Sequence, residues 1–189
     1  LVHWQELPTA LYPGEGDEPD ASGVWTGSVI YGEGQYHAFY TGYCLTAEFQ
    51  QTICHATSDD GITWTKDIAN PVITPMTELY EKLDWRDPYV FYNEEDENYW
   101  ILISARRLDM PVTRRGCIVL YRSKNLKDWT YYGPIYSPGH TNCPECPEMY
   151  KMGGSCRDAK GLFLYPALRY PYYKNTKEPS FLHLNYIYK

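Results

Sequence analysis

The amino-acid sequence predicts an all-β fold, a section of a β-propeller built from four-stranded antiparallel blades. Two observations support this prediction: a polar turn motif that repeats along the chain, and strand-like segments between its copies. The 14 prolines and 14 glycines among 189 residues help to exclude long helices. Hydrophobic residues make up 43% of the chain, which is enough for a packed core and argues against a disordered protein.

The repeated motif is a polar turn that ends in tryptophan. Residues 58–64 and 123–129 share the pattern Ser-x-Asp/Asn-Gly/Leu-x-x-Trp, and His3-Trp4 shows only the last part of it. The three tryptophans lie 60 and 65 residues apart. A polar corner after an alternating strand is typical of a hairpin, so this spacing predicts one blade per repeat, with the Trp beginning the next strand.

Strands are predicted in two sets of four between these turns. The first set comprises 28–31, 36–43, 51–58 and a strand after Trp64, and the second comprises 89–92, 99–105, 117–123 and 129–135. Further strands are expected at 1–11, 148–152 and 161–168. The chain then divides into the end of a first blade (1–13), a second blade (24–75), a third blade (85–137), and a fourth blade start with a divergent tail (144–189). Because a ring needs at least four blades to close, we expect only part of a propeller.

Charge and cysteine content exclude several classes of function. With 17 basic and 24 acidic residues, the chain has no basic surface for nucleic acid, and no apolar run is long enough to span a membrane. The six cysteines are too sparse for a disulfide scaffold. Cys143 and Cys146 form a lone C-x-x-C with only His140 and Cys156 nearby, so we expect reduced thiols and no metal site.

Candidate site residues lie where the chain enters the first strand of each blade. Segment 25–28, Asp87 and Glu145 occupy these entries, and first strands surround the propeller axis, so we expect the two carboxyl groups at matching positions across one cavity. Glycoside cleavage needs one protonated and one ionised carboxyl group. We expect Arg86 to hold Asp87 ionised and burial to keep Glu145 protonated. Two aromatic side chains would stack on a sugar: Trp25 and Trp85.

These segments resemble a known family. Residues 85–88 (Trp-Arg-Asp-Pro) and 145–147 (Glu-Cys-Pro) resemble the second and third signature motifs of glycoside hydrolase family 32, the invertase, levanase and inulinase group. Further similar stretches are 3–13, 25–28 and 39–42. The resemblance covers residues 1 to about 152 and implies a five-bladed propeller. It also implies hydrolysis of the β-fructofuranosidic bonds of sucrose, levan or inulin by retaining double displacement, without a cofactor.

The resemblance also implies roles for individual residues. Glu145 would be the general acid/base, and Asp87 would stabilise the transition state. The substrate-binding residues would be Arg86, Trp25, Ser28 and Trp85. The family's Asp nucleophile, in an Asn-Asp-Pro-Asn-type motif, has no match, and blade spacing places it about 40 residues before Leu1. We therefore expect this chain to retain part of a sugar site and to be nearly inactive alone.

Three other interpretations stay open at this point. One is a non-catalytic carbohydrate-binding propeller. Another is an inverting five-bladed hydrolase that cleaves arabinan or xylan, although its acid is not normally set in a Glu-Cys-Pro motif. The last is a chain without a stable fold, since exposed blade edges favour aggregation.

Overall fold

The computed structural model describes residues 5–151 and 162–168. Its two four-stranded sheets are antiparallel, with strand orders β1-β2-β3-β4 and β5-β6-β7-β8, and β9 pairs with β10. Apart from one 3-10 turn at Val112–Arg114, the elements are strands: β1 Gly23–Gly32, β2 Gln35–Tyr43, β3 Gln51–Ser58, β4 Thr65–Lys66, β5 Arg86–Asn93, β6 Asn98–Arg106, β7 Gly116–Ser123, β8 Thr130–Tyr136, β9 Pro144–Lys151 and β10 Leu162–Leu168. The predicted all-β class with four-stranded antiparallel sheets is confirmed.

The repeated turn motif forms the β3–β4 and β7–β8 corners. Asp60 Oδ1 accepts hydrogen bonds from the amides two and three residues further on, at 2.8 and 2.7 Å. Asn125 Oδ1 makes the same pair of contacts at 3.0 and 2.9 Å. The next residue has a positive φ in both corners, 71° at Gly61 and 60° at Leu126. The motif is therefore a side-chain-stabilised turn, and its Trp comes one residue before the following strand.

The first strand of each sheet carries one extra residue near its start. In each case, three residue intervals of the first strand face only two residue intervals of the neighbouring strand. These places are 24–27 in β1, 86–89 in β5 and 145–148 in β9. Such a β-bulge bends the strand and changes the direction of its side chains. The bulges place positive φ angles at Asp87 (56°) and Cys146 (45°).

Alignment of the bulges corrects the predicted matching of the two carboxyl groups. The last paired residue before the bulge is Arg86 in β5 and Glu145 in β9. The first residue of the bulge is then Asp87 in β5 and Cys146 in β9. Glu145 is thus equivalent to Arg86 and not to Asp87. The prediction was wrong by one residue because motif spacing does not show where a strand bulges.

The hydrophobic core lies between the two four-stranded sheets. One cluster of buried side chains combines residues of both sheets with residues of the segment that connects them, including Phe39, Ile53, Ile73, Tyr80, Trp85, Ile101, Val119 and Leu126. Burial of this shared apolar surface stabilises the packing of one sheet on the other. The entry of β5, which follows the connecting segment, is consequently fixed against the first sheet.

The strand expected at 1–11 is not found in its described part. Residues 5–11 form no regular structure and are mostly exposed. A strand needs a hydrogen-bonded neighbour, and no described strand pairs with this segment. Residues 1–4, part of the predicted 148–152 and 161–168 strands, and the tail 169–189 lie outside the described residues. The division into blades stays a prediction. None of the helices among the described residues is long and apolar enough to cross a membrane.

Candidate active site

Arg86 opens β5 and places its guanidinium between carboxyl groups of two neighbouring sheets. Nη2 donates to Glu145 Oε1 on β9 at 3.1 Å, and Nε lies 3.7 Å from Asp87 Oδ2. The side chains of Arg86 and Asp87 are 9% and 6% exposed, whereas that of Glu145 is 24% exposed. The structure therefore brings together, at one cation, the two carboxyl groups that the sequence places 58 residues apart.

The guanidinium is held on its other side by residues that the sequence did not suggest. Nη1 donates to Asp84 Oδ1 at 2.5 Å and to Gln51 Oε1 at 3.2 Å, and Nη2 also lies 3.4 Å from Cys143 Sγ. Burial disfavours the charge, but Cys143, Asp84 and Asp87 raise the pKa of Arg86, so it stays a cation. Asp84 precedes Arg86 by two residues, which was the only local signal for it.

Asp87 is fixed through both its backbone and its side chain. Its amide donates to Thr41 Oγ1 on β2 at 2.9 Å, and the Thr41 hydroxyl donates to Thr26 O on β1 at 3.0 Å. Its carboxylate Oδ2 accepts from the Cys146 amide on β9 at 3.0 Å. Asp87 thus connects the first sheet, its own strand and β9.

Opposing electrostatic effects act on the carboxyl group of Asp87. Burial raises the pKa of Asp87, with a contribution from the nearby Glu145, although the Cys146 amide and the Arg86 charge act in the opposite direction. The prediction that Arg86 holds Asp87 ionised stays a prediction. Glu145 is also less buried than expected, and its carboxylate is hydrogen-bonded to Arg86.

The predicted sugar-stacking residues have different environments. Trp25 is 41% exposed and stacks on Tyr43 with ring centroids 4.2 Å apart. Trp85 has no exposed surface and packs in the core against Tyr80 and Tyr121. The stacking role expected for Trp85 is therefore corrected to a packing role, because a sugar has no access to its ring.

Ser28 joins β1 to β5. Its hydroxyl donates to Pro88 O at 2.9 Å and accepts from the Val90 amide at 2.9 Å. These two contacts fix the register of the first strands of the two sheets beside the bulge at Asp87. The predicted contact of Ser28 with substrate is not tested by this geometry and stays a prediction.

A metal-binding cluster of three or more His, Cys, Asp or Glu side chains does not occur within residues 5–151 and 162–168. Cys143 is buried and Cys146 is exposed, and both are free thiols. Cys156, the third cysteine weighed for zinc, lies outside the described residues.

Comparison with known proteins gives concordant matches. The model of the glycosyl hydrolases family 32 N-terminal domain matches residues 1–184. The chain is 33% identical over 163 residues to levanase from Bacillus subtilis (strain 168), covering 80% of this chain and 21% of that protein. It is 32% identical over 161 residues to raffinose invertase from Escherichia coli, covering 81% of this chain and 31% of that protein.

A solved structure shows the same fold. The fructofuranosidase from Schwanniomyces occidentalis complexed with fructose superposes with a TM-score of 0.66 at 25% identity, over 86% of this chain and 31% of that chain. The chain described here spans between about a fifth and a third of the length of these relatives.

Proposed function

The chain belongs to glycosyl hydrolase family 32, and from this premise we propose that it supplies two of the carboxyl groups with which a β-fructofuranosidase cleaves sucrose or fructans. The observation that carries the proposal is the Arg86 guanidinium, which contacts Glu145 at 3.1 Å and Asp87 at 3.7 Å across two sheets. Two carboxyl groups that flank the scissile bond are the chemistry that glycoside cleavage requires.

Glu145 is the proposed general acid/base. It is the more exposed of the two carboxyl groups, so it is accessible to a leaving-group oxygen. In the first step Glu145 donates its proton to the departing oxygen while a carboxylate nucleophile bonds to the anomeric carbon of fructose. In the second step Glu145 takes a proton from water, which attacks that carbon and releases fructose.

Asp87 is the proposed stabiliser of the transition state. Its position is fixed by the Thr41 hydroxyl at its amide and by the Cys146 amide at its carboxylate. A preorganised acceptor needs little rearrangement as hydrogen bonds from sugar hydroxyls strengthen. Trp25, exposed and stacked on Tyr43, is the proposed aromatic wall of the fructose subsite.

Hydrolysis of sucrose, levan and inulin tests the proposal, measured on this chain joined to the segment that carries the family's Asp nucleophile. We expect Glu145→Gln to lower the rate at least about 100-fold, because general acid/base catalysis contributes that much or more. Glu148→Gln is a matched control, since Glu148 is exposed on the same strand and contacts neither Arg86 nor Asp87 among the described hydrogen bonds. We expect this variant to stay within about twofold of the parent rate.

The same assay separates the alternatives. Nuclear magnetic resonance of the first-formed fructose should show the anomer of retained configuration, and the inverted anomer contradicts the double displacement. Fructan binding without turnover, unchanged in Glu145→Gln, indicates a carbohydrate-binding protein instead. Turnover by the 189-residue chain alone, at a rate typical of enzymes, overturns the expectation, made from the sequence, that this chain is nearly inactive.

A further inference from the structure

Asp84 lies between two arginines at the entry of β5. Its Oδ1 accepts from Arg86 Nη1 at 2.5 Å, and its Oδ2 accepts from Arg106 Nη1 at 3.0 Å. Arg106 Nη1 also lies 2.7 Å from Glu81 Oε2, and Glu81 forms an ion pair with Arg115. Charges therefore alternate along one connected series that begins at the proposed acid/base: Glu145, Arg86, Asp84, Arg106, Glu81 and Arg115.

The contact with Asp84 fixes the direction of the whole guanidinium. A guanidinium is planar and presents its donors in a rigid fork, so anchoring Nη1 determines where Nη2 and Nε point. With Nη1 on Asp84 and Gln51, Nη2 faces Glu145 and Nε faces Asp87. Asp84 thus acts on the two site carboxyl groups through Arg86.

Asp84 is also the anion that balances Arg86. Burial opposes ionisation, but hydrogen bonds from Arg86 and Arg106 hold the pKa of Asp84 below its usual range, so the group is charged at neutral pH. The other titratable groups that contact Arg86 are Asp87, Glu145 and the Cys143 thiol. Burial raises the pKa of Cys143 to about 12, which keeps this thiol neutral.

We propose that Asp84 is a positioning residue for the fructosidase reaction, which orients Arg86 and compensates its charge so that Glu145 can carry the proton it donates. The proposal rests on the function proposed above. Without the Asp84 charge, Arg86 is compensated only by the two site carboxyl groups. Its field then favours their ionised forms and opposes proton donation.

Asp84→Asn and Glu81→Gln form the test pair. Asparagine keeps the volume and an acceptor oxygen for Arg86 but removes the charge. Glutamine at 81 removes a charge from the same series, one step further from the site. We expect Asp84→Asn to lower the hydrolysis rate about tenfold and to shift the alkaline limb of the pH–rate profile to lower pH. Glu81→Gln should leave that limb in place, and Asp84→Glu, which keeps the charge, should restore it.

A second measurement does not depend on hydrolysis. Nitrogen-15 resonances of the Arg86 guanidinium report its orientation and its exchange with solvent. We expect faster exchange of the Arg86 Nε proton in Asp84→Asn, by about tenfold, and no change in Glu81→Gln. The proposal is overturned if Asp84→Asn changes neither the exchange of the Arg86 Nε proton nor the alkaline limb of the pH–rate profile. It is also overturned if Glu81→Gln changes both as much as Asp84→Asn does. If the chain joined to the segment that carries the family's Asp nucleophile does not hydrolyse fructosides, the function fails, and the Arg86 signals still decide whether Asp84 positions this arginine.

Discussion

At the junction between the first sheet and β5, the amide of the bulge residue Asp87 donates to a neutral hydroxyl, that of Thr41. At the junction between the second sheet and β9, the amide of the equivalent bulge residue Cys146 donates to the carboxylate of Asp87. The amide of the bulge residue thus donates to the uncharged hydroxyl of Thr41 at the first junction and to the carboxylate of Asp87 at the second.

The difference shows that the proposed catalytic residues also connect the sheets. The first junction includes hydroxyl contacts from Thr41 and Ser28 as well as the contact of Arg86 with Gln51, and the second includes the contacts of Arg86 and Asp87 with β9. A substitution of Thr41 or Ser28 in the first junction should therefore lower the stability of the protein, and it should reduce the hydrolysis rate less than a substitution of Asp87 does. A substitution in the second should change the chemistry, provided that the hydrogen-bonding atom is kept.

The largest expected effect separates the two junctions directly. Asp87→Asn should lower fructoside hydrolysis at least about 100-fold, because the charge is lost, yet change the free energy of unfolding by less than about 1 kcal/mol, since the amide oxygen still accepts from Cys146.

Thr41→Val is the matched variant of the first junction. It leaves the buried amide of Asp87 without its acceptor and should cost about 1–3 kcal/mol of unfolding free energy. Denaturant titration and rate measurements on both variants check the pair. Equal losses of stability in the two variants would contradict the distinction.

The corner turns provide the next comparison. Gly61 and Leu126 occupy equivalent positive-φ positions, but Leu126 is fully buried in the shared core. Leu126→Ala should cost about 3 kcal/mol through lost burial and a cavity, whereas Gly61→Ala should cost about 1 kcal/mol, from backbone strain alone. Chemical denaturation measures both. Leu126→Gly should be no less stable than Leu126→Ala, because glycine relieves the positive φ, and a clearly lower stability contradicts that reason.

The smallest expected effect concerns the interior of the first sheet. His37 Nδ1 lies 2.9 Å from His55 Nε2, and His55 Nδ1 lies 3.0 Å from Asp67 Oδ2. Burial lowers the pKa of both histidines, with mutual repulsion adding to this at His37. The equivalent residues of the second sheet, Trp100 and Leu120, do not titrate in this range.

In the unfolded chain both histidines bind protons near pH 6.5, whereas in the folded protein they bind protons only at lower pH. Their contribution to the free energy of unfolding is therefore complete above about pH 6.5, and it is lost as the pH falls through their pKa values in the folded protein. His37→Gln removes one of these groups. Its free energy of unfolding should fall less steeply than that of the parent protein between pH 7 and pH 5, as followed by thermal unfolding. Parallel curves for the two proteins contradict this linkage.

Several features were correctly predicted because they depend on neighbours along the chain. The corner at 58–64 was predicted from a polar residue followed by glycine, and the strand Gln51–Ser58 has the predicted bounds. The family was identified from 85–88 and 145–147, short segments whose residue types are sufficient for recognition. The strand predicted at 1–11 is not found in its described part, 5–11, because a strand depends on a paired neighbour that the sequence pattern does not reveal.

The amino-acid sequence by itself predicted where most strands and the two corner turns form, and it singled out the two carboxyl groups that contact Arg86 in the structure. Both follow from local alternation, turn chemistry and short motifs. Only the tertiary structure decided that Glu145 is equivalent to Arg86, that Trp85 lies in the core, and that Asp84 holds the arginine between the carboxyl groups. These features arise where separate sheets pack around one-residue bulges. A bulge changes the direction of side chains without changing the motif that contains it.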